Sequence, residues 1–254
     1  MKYAGLIKQS LVDYPGEIAA VLFTRGCNFR CPFCHNVHLL VEEKREPGAE
    51  HKLQAGGEIG NIGDGKTYDI ESILEFLRER KGFLDAVVIS GGEPTLHPEL
   101  AQDLQRIKEI GYLIKLDSNG SNPELLAYLL QEKLLDYVAM DIKAPLDFKK
   151  YLQASGRLSS RQFFNIRNSI NLLQNARIAV EFRTTVVPLL HSPEDICSIA
   201  QYIKGARLYS LQQFNPAQTL APSYEAIVPF SPEEMQELAE LCRPYVKIVR
   251  VVNI

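Results

Sequence analysis

Short apolar runs recur along this chain, and a longer stretch with helical spacing follows nearly every one. The runs lie at 18–24 (IAAVLFT), 86–90 (AVVIS), 112–117 (YLIKLD), 137–142 (YVAMDI), 178–186 (IAVEFRTTV), 208–213 (LYSLQQ) and 246–251 (VKIVRV). Apolar residues at three-to-four-residue intervals predict helices over 70–80, 98–110, 123–132, 163–174, 193–204 and 232–242. Several of these open on proline or an acidic first turn, as helix starts do. A strand followed by a helix, repeated, calls for parallel strands joined by right-handed crossovers. Six or seven such units exceed a small doubly wound sheet and fall short of a closed eightfold barrel. An α/β fold with a partial (β/α)6 TIM-type barrel is predicted, with an open flavodoxin-like sheet as the alternative.

The chain has 254 residues, long enough for one large domain spanning 1–254. Its net charge of −3 and the lack of a basic run exclude an electrostatic footprint for nucleic acid. No apolar stretch reaches transmembrane length, and residues 1–16 lack the apolar block of a signal peptide, so a cytoplasmic protein without membrane contact is expected. One segment breaks the rhythm. Residues 41–68 are charged and glycine-rich, and read as a surface excursion, with a lid or partner-docking loop as the sharper reading.

Five cysteines are present, and Cys27, Cys31 and Cys34 stand at C-x3-C-x2-C spacing directly after the first apolar run. Three thiolates on one tight loop can hold zinc or an iron–sulfur cluster. Structural zinc wants four closed ligands, and His35, next to Cys34, is poorly placed to reach the same metal. A second C-x2-C pair is lacking. A [4Fe–4S] cube with one open iron fits better, and that iron can be chelated by the amino and carboxylate groups of a small molecule. Cys197 and Cys242 are solitary, each in a helix-like pattern, and read as buried small apolar residues.

The arrangement Cys27, Cys31, Phe33, Cys34 resembles the C-x3-C-x-aromatic-C signature of the radical S-adenosylmethionine (SAM) superfamily. That resemblance implies a barrel of the radical SAM type and a cluster held by the three cysteines. It also implies SAM on the fourth iron, cleaved by one electron into methionine and a 5′-deoxyadenosyl radical. The strand ends carry further likenesses. In Ser90-Gly91-Gly92-Glu93-Pro94 the glycines permit a close backbone approach and the carboxylate can accept from an ammonium. The resemblance makes Gly91, Gly92 and Glu93 the site for the methionine amino group. Asp117 and Asp141, at neighbouring strand mouths, would repel unless a cation or lysine lay between them; capping by Asp117 and Ser118 and pairing of Asp141 with Lys143 are the structural alternatives. Leu116-Asp117-Ser118-Asn119-Gly120 and Met140-Asp141-Ile142-Lys143 resemble the D-T-N-G and D-L-K segments of the pyruvate formate-lyase activating enzyme. This implies cofactor contacts from Asp117, Ser118, Asn119, Asp141 and Lys143, and a monovalent cation framed by Asp117, Ser118 and Asp141. Ser118 stands where that family has threonine. Arg183 is an ion-pair partner or a clamp on a carboxylate or ribose, and the resemblance turns it to the cofactor. Leu211, Gln212, Gln213 and Phe214, at the sixth strand end, are read as lining the mouth. His35 and Asn36 match a C-H-N segment of activating enzymes, with His35 read as packing around the cysteines.

The likeness extends over residues 11 to about 190, apart from 41–68, to activating proteins of anaerobic ribonucleoside-triphosphate reductases. It implies hydrogen abstraction from a glycine Cα of a partner such as anaerobic ribonucleotide reductase, with flavodoxin or ferredoxin supplying the electron. A small-molecule enzyme resembling carboxy-deazaguanine synthases is the alternative within radical chemistry. A non-catalytic Fe–S or zinc protein is the alternative outside it, against which Gly91, Gly92, Glu93 and Asp117 count.

Overall fold

A computed structural model describes residues 1–40 and 67–253. The 41–68 excursion, but for its last two residues, lies outside the described residues. In chain order the elements are β1 (Lys2–Tyr3), β2 (Gly5–Ser10), β3 (Ala19–Thr24), β4 (Tyr68–Asp69), α1 (Ile70–Glu79), β5 (Ala86–Gly91), α2 (Leu100–Ile110), β6 (Leu113–Ser118), α3 (Pro123–Gln131), β7 (Tyr137–Asp141), α4 (Phe148–Ser155), α5 (Ser160–Gln174), β8 (Ala179–Val186), α6 (Pro193–Tyr202), β9 (Leu208–Gln213), α7 (Pro232–Cys242) and β10 (Ile248–Val252). All the strands and helices read from the spacing are present. The described residues form two compact units. One comprises Met1–Cys27, His38–Asp117 and Tyr128–Tyr137; the other comprises Asn28–Val37, Ser118–Ala127 and Val138–Ile254.

In the first unit β3, β5 and β6 run parallel, and β2 pairs antiparallel with β3. Ala19, Ala20, Leu22, Val87, Val88 and Ile89 are all fully buried. Burial on both faces explains why these strands read as continuous apolar runs. The register sets Thr24, the last residue of β3, opposite Gly91, the last of β5. Helix α1 is started by Asp69, whose side chain accepts from the Ser72 amide at 2.8 Å.

In the second unit β8, β9 and β10 are parallel, and β7 lies beside β8. Helices α5, α6 and α7 begin with capping boxes at Ser159/Gln162, Ser192/Asp195 and Ser231/Glu234. Helix α4 was not among the expected elements; Asp147 caps its start and Gly156, at φ +66°, ends it. Cys242 is fully buried, and burial pushes its thiol up to about 12. Cys197 departs from the expectation: it is only half-buried and accepts from Gln201 Nε2. Neither β2 nor β10 has a second neighbouring strand among the described residues. The α/β class, with repeated β/α units and a strand order that ends at β2 and β10 among the described residues, agrees with the predicted partial barrel. No helix among the described residues is long and apolar enough to cross a membrane.

Candidate functional site

The first unit carries Cys27 at the exit of β3, the Gly91–Glu93 turn at the exit of β5, and Asp117 near the end of β6. The turn is fastened to the chain just before Cys27. Gly92 N–H donates to the Thr24 carbonyl at 3.0 Å, and Glu93 N–H donates to the Gly26 carbonyl at 2.8 Å. A Cβ on Gly92 would stand 1.9 Å from the Gly26 carbonyl oxygen; one on Gly91, at φ +116°, would stand 2.5 Å from Thr24 N and O. The glycines are therefore required by a close approach of two backbone segments, where the sequence suggested a close approach to a ligand. Glu93 is buried, and its Oε1 accepts from the Thr95 amide at 3.1 Å and the Thr95 hydroxyl at 2.5 Å. Asp117 accepts from Lys115 Nζ at 2.6 Å and from Ser90 Oγ at 3.0 Å. Lys115 was not singled out from the sequence. Its i, i+2 spacing to Asp117 on a strand puts both on one face.

The second unit carries the rest of the cysteine loop. Cys34 N–H donates to the Cys31 carbonyl at 3.0 Å, closing a tight turn, and Phe29 and Phe33 of the same segment are buried. Arg30 N–H donates to the Ser155 carbonyl at 2.8 Å, and Ala221 N–H donates to the Pro32 carbonyl at 2.9 Å. Any side chain at Gly156 would collide with the Arg30 carbonyl, 2.0 Å from the Cβ position. His35 is exposed and Asn36 half-buried. Burial raises the Cys34 thiol above its ordinary range, while the Asn36 amide, Lys143 and Arg30 pull it back. Ser118 Oγ accepts from Gly120 N–H at 3.0 Å.

Asp141, at the end of β7, sits between two cations. Its Oδ1 accepts from Arg183 Nε at 2.8 Å and its Oδ2 from Lys143 Nζ at 3.0 Å. Burial opposes ionisation, but Arg183 and Lys143 outweigh it and hold the carboxyl well below the usual range. The pairing of Asp141 with Lys143 weighed from the sequence is thus present, with Arg183 as a third member. The backbone of Lys143 is held on both sides: its N–H donates to Tyr151 Oη at 3.2 Å, and its carbonyl accepts from His191 Nε2 at 2.9 Å. His191 Nδ1 in turn accepts from Val187 N–H at 3.0 Å. Tyr151, Gly156 and His191 escaped the sequence reading; only Gly156, a glycine closing a short helical pattern, carried a local signal. Of the residues proposed to line the mouth, Leu211 and Phe214 are buried and Gln212 is half-buried. Gln213 donates from Nε2 to the Phe230 carbonyl at 2.6 Å, while its buried Oε1 has no hydrogen-bond partner among the described residues.

None of the three cysteines of the loop is joined in a disulfide among the described residues. Among the described residues no three His, Cys, Asp or Glu side chains are gathered as a metal-ion site. The donor set nonetheless suits an iron–sulfur cluster: three soft sulfur ligands close together on a turned loop.

Comparison with known proteins adds to this geometry. The pattern describing the Radical SAM superfamily matches residues 21–204. A Methanocaldococcus jannaschii protein named as a glycyl-radical enzyme activating enzyme is 34% identical over 98% of this chain and 96% of its own. The pyruvate formate-lyase-activating enzyme of Clostridium pasteurianum is 30% identical over 83% of this chain and 79% of its own. Among solved structures, Streptococcus suis SuiB bound to precursor peptide SuiA superposes with a TM-score of 0.64 at 15% identity, covering 92% of this chain and 48% of that one. That likeness is one of fold.

Proposed function

The chain belongs to the radical SAM superfamily, and from that membership we propose an enzyme that cleaves SAM reductively at a [4Fe–4S] cluster in order to place a glycyl radical on a partner enzyme. The observation that carries the reading is the likeness, along most of the chain, to two activating enzymes. In this reading Cys27, Cys31 and Cys34 would hold the cluster. When bound and reduced, the cluster supplies one electron to a carbon–sulfur bond of SAM, giving methionine and the 5′-deoxyadenosyl radical.

The chain's own residues bind and orient. Asp141, Lys143 and Arg183 together carry one excess positive charge, which suits the cofactor carboxylate. Phe33, Ser118 and Asn119 are assigned to the cofactor on the family motif. Gly91, Gly92 and Glu93 are assigned to its amino end, although Glu93 also caps its own turn through Thr95. A monovalent cation at Asp117, Ser118 and Asp141 is not required, because Lys115 meets the charge of Asp117 and Lys143 and Arg183 meet that of Asp141. The whole chain, 1–254, acts as one catalytic domain in an anaerobic cytoplasm, with flavodoxin or ferredoxin as electron donor. A glycine target is chemically apt. Its Cα radical is stabilised by the flanking amides, and it has no side chain to obstruct approach.

Anaerobic reconstitution tests the reading. The protein is expected to take up about four iron and four sulfide. With SAM, a reductant and an anaerobic ribonucleotide reductase it should release 5′-deoxyadenosine and produce a glycyl doublet in electron paramagnetic resonance (EPR). Single Cys27→Ala, Cys31→Ala and Cys34→Ala variants should lose both signals, whereas Cys242→Ala should keep them. Stoichiometric zinc in place of iron, or cleavage retained by any of the three variants, would overturn the proposal. Deoxyadenosine release without a doublet on any glycyl radical enzyme would instead favour a small-molecule substrate.

A further inference from the structure

Between Cys27 and Cys34 every second residue is fastened outward. Arg30 and Pro32 are held through their backbones, but Asn28 is held through its side chain. Its Nδ2 donates to Ser121 Oγ at 2.8 Å, and its Oδ1 accepts from Asn119 Nδ2 at 2.8 Å. Asn119 closes the ring, because its Oδ1 accepts from Ser121 N–H at 2.9 Å. Asn119 and Ser121 are buried, only 5% and 7% exposed. The loop that presents them is itself pinned to α5. The Ser121 carbonyl accepts from Asn165 Nδ2 at 3.0 Å, and the Gly120 carbonyl accepts from Ser169 Oγ at 2.7 Å. Gly120 has φ +73°, and a Cβ there would stand 2.0 Å from Met140 Cε. The turn that offers Asn119 and Ser121 to the cysteine loop is thus fixed from below and from the side.

A carboxamide donates and accepts at once, so two of them close a ring with one serine, whose hydroxyl accepts and whose backbone N–H donates. Such a ring demands one geometry, and a buried network of this kind rigidifies the segment that carries it. We infer that Asn28, Asn119 and Ser121 form a clamp that gives the cysteine loop its conformation before any metal is bound, and that Asn28 and Asn119 are positioning residues for the cluster. The second half of this inference rests on the reading of Cys31 and Cys34 as cluster ligands. The first half stands on the clamp alone. Thiolates that bind a preformed inorganic core must hold their positions, and a loop set in advance avoids the cost of ordering during assembly.

The test uses the full chain in both metal-free and reconstituted forms. The variants are Asn28→Ala, Asn119→Ala, and Asn165→Ala, which leaves the ring intact, with Asn28→Asp as the conservative control. In metal-free protein, amide hydrogen exchange over residues 28–36 should quicken roughly ten-fold in the first two variants, with little change in the third. In reconstituted protein, iron loss to a chelator should quicken by a similar factor, and the EPR spectrum of the reduced cluster should broaden. Asn28→Asp should restore most of the wild-type behaviour, since it still accepts from Asn119 and the Ser121 hydroxyl can turn to donate to it. Folded Asn28→Ala and Asn119→Ala proteins whose exchange over 28–36 stays within two-fold of wild type would overturn the clamp. Exchange that quickens while iron loss and the EPR spectrum stay unchanged would overturn the positioning role. A wild-type chain that takes up no iron would sink the cluster reading, and the exchange measurement would still decide the clamp.

Discussion

The two compact units hold the cysteine segment by different means. In the first, the chain before Cys27 is seated by backbone alone: Gly91 and Gly92 lie against Thr24 and Gly26, with two amide–carbonyl bonds across the contact. In the second, the loop is held by backbone bonds and by the side chains of Asn28 and Asn119, and the same unit carries the ionised group Asp141, Lys143 and Arg183. A backbone seat of this kind rejects any Cβ and is indifferent to pH. A side-chain seat accepts isosteres but answers to protonation. The cysteine segment is therefore open to disruption by sterics at one end and by loss of side-chain hydrogen bonds at the other.

The largest effect is expected at the backbone seat. Gly92→Ala must push its Cβ into the Gly26 carbonyl and strain both amide bonds, a loss of about 4 kcal/mol. Gly16 gives the reference, because it has φ +87° but open space around its Cβ position. Gly16→Ala pays only for the left-handed backbone, about 1 kcal/mol. Urea unfolding of the two variants would separate them, and equal losses would mean that the seat yields readily.

Charge removal in the second unit should cost less. Asp141→Asn leaves Lys143 and Arg183 facing each other without their carboxylate. The pair is partly screened, since the Asp141 side chain is 26% exposed, so about 2 kcal/mol is expected at neutral pH. The sign with pH follows from the direction of the shift. A carboxyl held below its ordinary value stabilises the fold above the unfolded value of about 3.9, and that contribution is lost as pH falls through the lower folded value. The gap between wild type and Asp141→Asn should therefore be widest near pH 7 and narrow below about pH 4. A gap independent of pH would remove the ionised carboxylate from the account.

The contrast also explains what could be read without coordinates. Residues 18–24 and 86–90 read as strands because Ala20, Leu22, Val87 and Val88 are buried on both faces, leaving an unbroken apolar run. Strand β2 (GLIKQS) escaped notice because it is half exposed and bulged between Ile7 and Ser10. Helix α4 escaped because it is short, although Asp147 and Gly156 mark its two ends. At the site, the cysteine spacing and the lysines two residues from Asp117 and Asp141 were local signals. Lys115 lies on the same face of β6 as Asp117, and Lys143 follows the end of β7 and turns back to Asp141. The fit of Gly92 against Gly26, the ring between Asn28 and Asn119, and the reach of His191 to Lys143 join segments distant in the chain, and no local pattern encodes them.

His191 offers the finest probe of the side-chain seat. Its Nδ1 accepts from the Val187 amide and its Nε2 donates to the Lys143 carbonyl, so only the neutral ring with hydrogen on Nε2 satisfies both bonds. Burial lowers its affinity for a proton, although the Lys143 carbonyl and the nearby Asp195 work the other way and Lys150 adds to the burial effect. A histidine held below its ordinary value contributes stability above about pH 6.5, and that stability is lost as pH falls toward the folded value. Between pH 7.5 and 5.5 this one ring should remove about 1 kcal/mol from the wild type. His191→Phe fills the volume but drops both hydrogen bonds, so it should be less stable at pH 7.5 and should lack that slope. Urea midpoints across the range would show the two curves converging as the pH falls. Parallel curves would mean that the ring takes up a proton in place, and that Lys143 is not held by a neutral imidazole.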